Sequence, residues 1–568
     1  HPLAFLLNLL LDSEDSDNDG GMGNVTRLVM RPPGHSGKAK RGHLCFDASF
    51  ETGNLGRIDF TSEFEYDLFI RPDTCNPRHR LWFNFVIDNT RLDQRVILNI
   101  VNIGKTKNLF REGMTPLVRS TSRNKKWYRM LNRDVYYHRS NAHRKHYVLS
   151  LIFAFDKEED AYQISFSYPY SYSKCKLYLD TLEKKKNEFF HREVVNHSIQ
   201  KRNIDVVTIT DLKMNENHKG KLRVVVILSR VHPGESPTSF ICQGIIDLLI
   251  SNHHIAKTLR SHVVFKIFPM LNPDGVFLGN FRSNYVGLDL NRSYHHISEW
   301  SHPGIYSALT LITSLNQDKN LELDFIIDLH AHSSLKGLFI YGNSYDDIYR
   351  FERHTILPKL LANNAEDYDK KNTIFNRVLD KLGTARRVFS DTLKDTVNCY
   401  SLIVSFFGYI HPVTKELIPY KEESYERIGR VLIKTFLEYY TITGVIPSTP
   451  DQITKELMKK KKQKMKSMST NKPSSRVARP VRTPSCQPLS KTVLGTIDEK
   501  NDSKWNNNKP SFVTTKMRKP FKRRKKSKII ETEQLNQQHE INNEDGNSTN
   551  RKLNIIDINN ITLISSVK

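Results

Sequence analysis

The feature that most constrains the fold is a change of rhythm near residue 204. Before it, short segments of alternating polarity follow one another between polar turns, at 43–50, 80–87, 95–103, 146–155 and 162–168. A period of two suits half-buried strands, and the series predicts an antiparallel β-sandwich. After it, apolar runs at 206–210, 222–228, 263–269, 325–329, 337–341 and 400–406 alternate with helical stretches. Near-continuous apolar runs suit strands buried on both faces, so an α/β/α domain with a mixed sheet is expected. Segment 422–440 closes it as a helix, because Tyr425, Ile428, Leu432, Phe436 and Tyr439 share one stripe.

The flanks read differently. Residues 1–42 are expected to be a loose extension, 176–203 a Lys- and Glu-rich, largely helical connector, and 447–568 a disordered Lys-rich tail. The resulting organisation is 43–175 for the sandwich and 204–446 for the α/β/α domain. The apolar stretch 2–11 lacks a basic leader and a small-residue cleavage site, so it reads as an extension rather than a signal peptide. No segment approaches the roughly 20 apolar residues of a membrane span.

The net charge of +25 is uneven. Residues 451–568 carry 27 Lys+Arg against 11 Asp+Glu, a net +16, which leaves +9 for residues 1–450. Lysine-rich runs at 459–462 and 522–526 make an anionic partner for the tail an expectation. The six cysteines show no CxxC spacing, which favours a reducing compartment over a disulfide scaffold.

The chemistry sits at strand ends. Arg230-Val231-His232-Pro233-Gly234-Glu235-Ser236-Pro237 follows the run 222–228 directly. Ser236 is suited to cap the next helix and Pro237 to begin it. An imidazole and a carboxylate three residues apart can share one Zn²⁺, although His-x-x-Glu alone is common by chance. Asp328-Leu329-His330-Ala331-His332-Ser333 ends another apolar run and offers a third ligand. His330 and His332 lie on the same strand face, so geometry alone does not choose between them; His332 is favoured as a rim histidine. Two His and one Glu leave a position open, as a catalytic zinc requires. Between these segments lie Asn272-Pro273-Asp274-Gly275, a turn former, then Arg282, then Leu288-Asp289-Leu290-Asn291-Arg292. Guanidinium groups suit a terminal carboxylate, held bidentately, and a developing oxyanion.

Taken in order, RVHPGES, PMLNPDGV, GNFRSNYVGLDLNR and IDLHAHS resemble the cytosolic carboxypeptidases, a branch of the zinc carboxypeptidases. The stretch from Phe46 to Phe85 is similar to the β domain that precedes their catalytic domain, and the resemblance spans about 43–442. It implies one Zn²⁺ per chain held by His232, Glu235 and His330. It further implies that Arg282 polarises the scissile carbonyl and that Asn291 and Arg292 hold the terminal carboxylate. The implied activity is removal of glutamates from acidic polypeptide tails, notably of tubulin, by a monomer in the cytosol. Microtubule or nuclear association through the basic tail is a further expectation.

One departure bears on mechanism. The family reads Tyr-Thr-Leu-Glu before a Ser-Phe pair, whereas this chain reads Tyr400-Ser401-Leu402-Ile403-Val404-Ser405-Phe406. Ile403 thus takes the place of the glutamate that would act as general base. Loss of such a base typically costs about 10²–10⁴-fold in rate. Ser283 replaces a cysteine usual in relatives, and Ser293-Tyr294 departs from their aromatic-rich wording. Two readings follow: a weak zinc-dependent deglutamylase, or a zinc-binding pseudoenzyme that grips glutamate-rich tails without cleaving them. A third, a tether acting through the tail, rests on the lysine runs alone.

Overall fold

The structure, a computed structural model, describes residues 23–447 except 123–125, 212 and 214–219. The expected tail, from 448 on, and the stretch 2–11 lie outside the described residues.

The N-terminal region forms two sheets. One joins β1 (Leu28–Val29), β2 (Cys45–Asp47), β5 (Asn84–Asp88), β11 (Tyr162–Ser165), β7 (Leu117–Ser120) and β8 (Tyr128–Arg129) in that order. The other joins β3 (Arg57–Ser62), β4 (Glu65–Phe69), β6 (Arg95–Ile100), β10 (Tyr147–Ala154) and β9 (Val135–Arg139). The pairing is antiparallel except between β4 and β6, which run parallel. β5, which lies between them in the chain, belongs to the other sheet, so the chain re-enters in the same direction. Side-chain alternation cannot tell the two pairings apart. Residues 28–29, expected within a loose extension, instead pair with β2 at the sheet edge.

The second region is built on an eight-stranded mixed sheet. Its strands are β12 (Phe190–His197), β13 (Asn203–Ile209), β14 (Leu222–Leu228), β15 (Val263–Phe268), β16 (Leu321–His332), β17 (Leu338–Asn343), β18 (Ile374–Asn376) and β19 (Asn398–Ser405). Their order is β12-β13-β15-β14-β16-β19-β17-β18, with β15, β14, β16 and β19 mutually parallel. The expected connector, 176–203, holds most of the helix Tyr172–Lys184, which begins before it, but also β12, which pairs with β13. This strand reads Phe-His-Arg-Glu-Val-Val-Asn-His and is mostly solvated, so it carries little apolar signal.

The apolar runs are explained by burial on both faces. In β14, Val225 and Ile227 join one core cluster, while Val224, Val226 and Leu228 join the other. The first cluster extends without a break into the sandwich, through residues such as Phe166, Phe406 and Tyr168. The helices Pro237–Ile250 and Glu422–Ile442 pack on that face. They cross at two glycines: a Cβ on Gly244 would lie 2.2 Å from Glu426 O, and one on Gly429 would lie 2.2 Å from Ile241 O. Alanine normally favours a helix over glycine by about 1 kcal/mol. Here the helix backbones would have to part, and overpacking of this kind costs about 1–3 kcal/mol. Gly429→Ala is therefore expected to lower the melting temperature, as followed by circular dichroism; an unchanged or raised value would contradict the close crossing. Among the described residues, no helix is long and apolar enough to cross a membrane.

Candidate metal centre

In open α/β sheets, ligands gather outside the carboxyl ends of the parallel strands. β14 ends at Leu228, and the loop 229–236 leaves it toward the helix that Pro237 begins. Arg230, fully buried and at φ 55°, braces this loop by donating from Nε to Pro233 O at 2.8 Å and from Nη1 to Ser239 Oγ at 2.8 Å. Gly234 donates its N–H to Phe281 O at 2.8 Å, and a Cβ there would strike Phe281. Ser236 does not cap as expected. Its backbone is already helical (φ −54°, ψ −30°), whereas a capping hydroxyl needs an extended residue, and its Oγ is buried without a partner. Asn272-Pro273-Asp274-Gly275 is likewise not an isolated tight turn. Asn272 Oδ1 accepts from Gly275 N at 3.1 Å and caps the short helix Pro273–Leu278.

Neighbouring β14 and β16 bring the loop and the third ligand together. The Glu235 carboxylate lies between two imidazoles, with His232 Nδ1 2.8 Å from Oε1 and His330 Nδ1 3.0 Å from Oε2. The backbone N–H of Ala331 donates to Oε2 at 2.8 Å. Each ring holds a carboxylate on its far nitrogen: His232 Nε2 meets Asp289 Oδ1 at 3.0 Å, and His330 Nε2 meets Asp328 Oδ2 at 2.6 Å. This fixes both rings with Nδ1 turned toward Glu235, the carboxylate–histidine arrangement that orients metal-bound imidazoles. Ligand atoms of His232, Glu235 and His330 all lie within 4.8 Å of one another, and all three residues are buried. The donor set of two nitrogens and one oxygen fits zinc with a position left open, and these residues form the zinc-binding triad.

The electrostatics agree. Burial alone would raise the Glu235 pKa, but attraction and hydrogen bonds from His232 and His330 hold it well below the usual carboxylate range. Burial would lower the His330 pKa, but Asp328 and Glu235 raise it to about 10 in the metal-free protein. His332 does not join the cluster. Its Nδ1 accepts from Ser334 N and Leu335 N at 3.1 and 2.9 Å, and burial, then Lys105, push its pKa down to about 4.

The other expected site residues lie around the triad. Arg282 donates from Nε to Asp289 Oδ2 at 2.6 Å, so Asp289 bridges it to His232. Asn291 donates to Asp328 Oδ2 at 3.2 Å and accepts from Ala385 N at 3.0 Å. Among the described residues, the Arg292 guanidinium bonds Asn291 O at 2.7 Å and pairs with no carboxylate. Ile403 stands directly opposite His330 in the β16–β19 register and opposite Phe339 in β17–β19, with 4% of its surface exposed. Paired residues share a sheet face, so its side chain lies on the face of His330.

Four contributors escaped the sequence reading. Asp289 and Asp328 each lie two residues before a named site residue, a spacing that hints at a shared strand face only for Asp328. His79 and Lys105 come from the N-terminal region. Lys105 Nζ donates to Ser333 Oγ at 2.7 Å, and its pKa is lowered by burial and by Arg282, with Glu235 opposing. Burial and then Arg282 lower His79 to about 4.

Comparison with known proteins agrees with this site. Residues 175–427 match the zinc carboxypeptidase family, and 46–156 match the cytosolic carboxypeptidase N-terminal domain. The chain is 51% identical over 433 residues to cytosolic carboxypeptidase 6 of Homo sapiens, covering 76% of this chain and 86% of the relative. It is 41% identical to cytosolic carboxypeptidase 6 of Caenorhabditis elegans, covering 70% and 88%. Its fold matches the crystal structure of a metallo-carboxypeptidase from Burkholderia cenocepacia, with a TM-score of 0.59 at 17% identity over 70% of this chain and 99% of the other. A metallo-carboxypeptidase from Pseudomonas aeruginosa in complex with (2-guanidinoethylmercapto)succinic acid matches with a TM-score of 0.58 at 19% identity, over 70% and 99%. With its His–Glu–His zinc triad at the carboxyl ends of a mixed sheet and an N-terminal β domain beside it, the chain belongs to the cytosolic carboxypeptidases.

Proposed function

We propose that this protein holds the C-terminal glutamates of acidic polypeptide tails, such as those of tubulin, over its zinc site and removes them slowly. The observation that carries the reading is a buried zinc triad flanked by two arginines, one of them, Arg292, without a carboxylate partner among the described residues. Arg292 binds the terminal carboxylate of the substrate. Asn291, whose amide is engaged by Asp328 and Ala385, sets the backbone carbonyl on which Arg292 rests. Arg282, steadied by Asp289, stabilises charge developing on the scissile carbonyl oxygen. Lys105 adds a second cation that pairs with no carboxylate among the described residues, which suits an acidic chain leading into the site. Zinc, when bound, supplies Lewis-acid activation of water and of the scissile carbonyl.

A second reading, binding without cleavage, is favoured by one observation: the residue opposite His330 is Ile403, and β19 carries no carboxylate. Both readings require the same grip on substrate, and both place a monomer in the cytosol with its lysine-rich tail open to anionic partners. The grip is tested with Arg292→Gln. Hydrogen bonds to charged groups contribute about 1.5–3 kcal/mol each. Affinity for a glutamate-tailed peptide, measured by calorimetry at equal zinc content, is expected to fall by about tenfold to hundredfold. Unchanged affinity would remove Arg292 from the site and the reading with it.

A further inference from the structure

We propose that Asp73, a residue of the N-terminal β domain, is a positioning residue for Arg282; the proposal rests on the role given to Arg282 above. Among the described residues, Asp73 makes no hydrogen bond or ion pair with the triad. Its carboxylate instead accepts three consecutive backbone N–H groups of the arginine loop: Phe281 N to Oδ1 at 2.6 Å, Arg282 N to Oδ2 at 2.8 Å and Ser283 N to Oδ2 at 2.7 Å. Successive N–H groups turned to one side form a concave anion site, and here the anion is a side chain from another domain. Asp73 is only 3% exposed. Burial pushes its pKa up to about 6 while the three donors oppose the rise, so the carboxylate is charged at neutral pH.

The rest of the interface extends this hold along the loop. Thr74 donates from both N and Oγ1 to Asn280 Oδ1, each at 3.1 Å. Asn54 Nδ2 reaches Gly279 O at 3.0 Å, and Asn76 Nδ2 reaches Gly287 O at 2.9 Å. At Gly279, with φ 73°, a Cβ would lie 2.3 Å from Gly53 O, and at Gly287 one would lie 2.5 Å from Cys75 O. The loop backbone from 279 to 287 is therefore pressed against residues 53–54 and 73–76. Arg282 is held twice, by its backbone on Asp73 and by its side chain on Asp289. Of these contacts, only those of Asp73 fall on the arginine and its two immediate neighbours. A residue that sets the origin of the arginine side chain acts through it, because misplacement of about 1 Å in a site can cost about 10²-fold.

The test uses the full-length, zinc-loaded protein and two ligands. One is a phosphinic pseudopeptide ending in glutamate, which places an anionic tetrahedral group where Arg282 acts. The other is free L-glutamate, which has no such group. Asp73→Asn is expected to weaken the phosphinic ligand by about tenfold to hundredfold, to change free glutamate by less than about twofold, and to leave zinc content unchanged. Arg282→Ala should weaken the phosphinic ligand to a similar extent, and adding Asp73→Asn to it should cost nothing more. Equal losses for both ligands, or additive losses in the double variant, would make Asp73 ordinary interface packing and overturn the proposal. If Arg282→Ala matters and Asp73→Asn does not, the proposal alone falls. If Arg282→Ala leaves the phosphinic ligand untouched, the role of Arg282 falls first and the proposal with it. Should Asp73→Asn fail to fold, Thr74→Val removes one bond of the same hold, and a smaller loss confined to the phosphinic ligand is expected. Wild-type affinity in that variant would overturn the proposal.

Discussion

Ile403→Glu is expected to raise the rate of glutamate release from glutamate-tailed peptides by about 10²–10⁴-fold, the usual contribution of a positioned general base. The geometry favours the gain. Ile403 stands opposite His330 and on the same sheet face as this zinc ligand. A carboxylate introduced there would be desolvated, which raises its pKa toward the working range, while the nearby cations oppose the rise. The same burial carries a cost, because a buried charge is unfavourable unless it finds partners. Ile403→Gln separates the two effects, since it has the shape of glutamate without a basic oxygen. Released glutamate is measured for wild type and both variants at equal zinc loading. A gain with Glu and none with Gln assigns the missing base to position 403. A wild type that already turns over at an ordinary rate, with no gain from Glu, would show that another group is the base.

Much of this site was legible because its chemistry lies in short segments directly after apolar runs. β14 was delimited in the sequence as 222–228, the bounds it has in the structure, and the His232–Glu235 loop follows from where that strand stops. Parity alone did not choose between His330 and His332, which share a face of β16; the resemblance implied His330, and the triad contains it. The fold separates them by seating Glu235 on Ala331 N and Asp328 beside His330. Asp289 was passed over because its importance depends on a contact across 57 residues to His232. Lys105, His79 and Asp73 act across the domain interface, and nothing local marks them. The hairpin β3–β4 and the edge strand β12 were missed for other reasons. In β12 (Phe190–His197) most side chains are polar and solvated, so little alternation remains to be read, whereas Arg57–Ser62 and Glu65–Phe69 do alternate, with Ile58, Tyr66 and Leu68 turned into the core, and were legible but passed over. Local pattern carried the buried strands and the motifs; contacts between distant segments supplied the network that orients them.

Zinc binding is the expectation on which the remaining chemistry depends. The wild type should hold one zinc per chain, and His330→Ala should lose it, because Glu235 and His232 alone leave the ion two protein ligands. The outer carboxylates should matter almost as much. Asp289 and Asp328 fix the ring orientation of His232 and His330, and loss of such partners typically lowers metal affinity by about 10–100-fold. Asp289→Asn and Asp328→Asn are therefore expected to weaken zinc by that factor in competition with a chromogenic chelator. The two should differ in their dependence on pH. Burial lowers the His330 pKa, but Asp328 and Glu235 more than reverse this and raise it to about 10 in the metal-free protein. At neutral pH the ring thus carries a proton that must leave before its Nδ1 can bind metal, so zinc binding releases protons and strengthens as pH rises toward 10. Calorimetry in buffers of different ionisation enthalpy counts those protons. Removing the Asp328 charge takes away the largest support for the His330 proton, so Asp328→Asn should release fewer protons per zinc at neutral pH than the wild type. Asp289→Asn, which acts on the other ring, should leave that contribution in place. Wild-type zinc content in His330→Ala, or the same proton count in Asp328→Asn as in the wild type, would show that His330 is not the ligand that the geometry indicates.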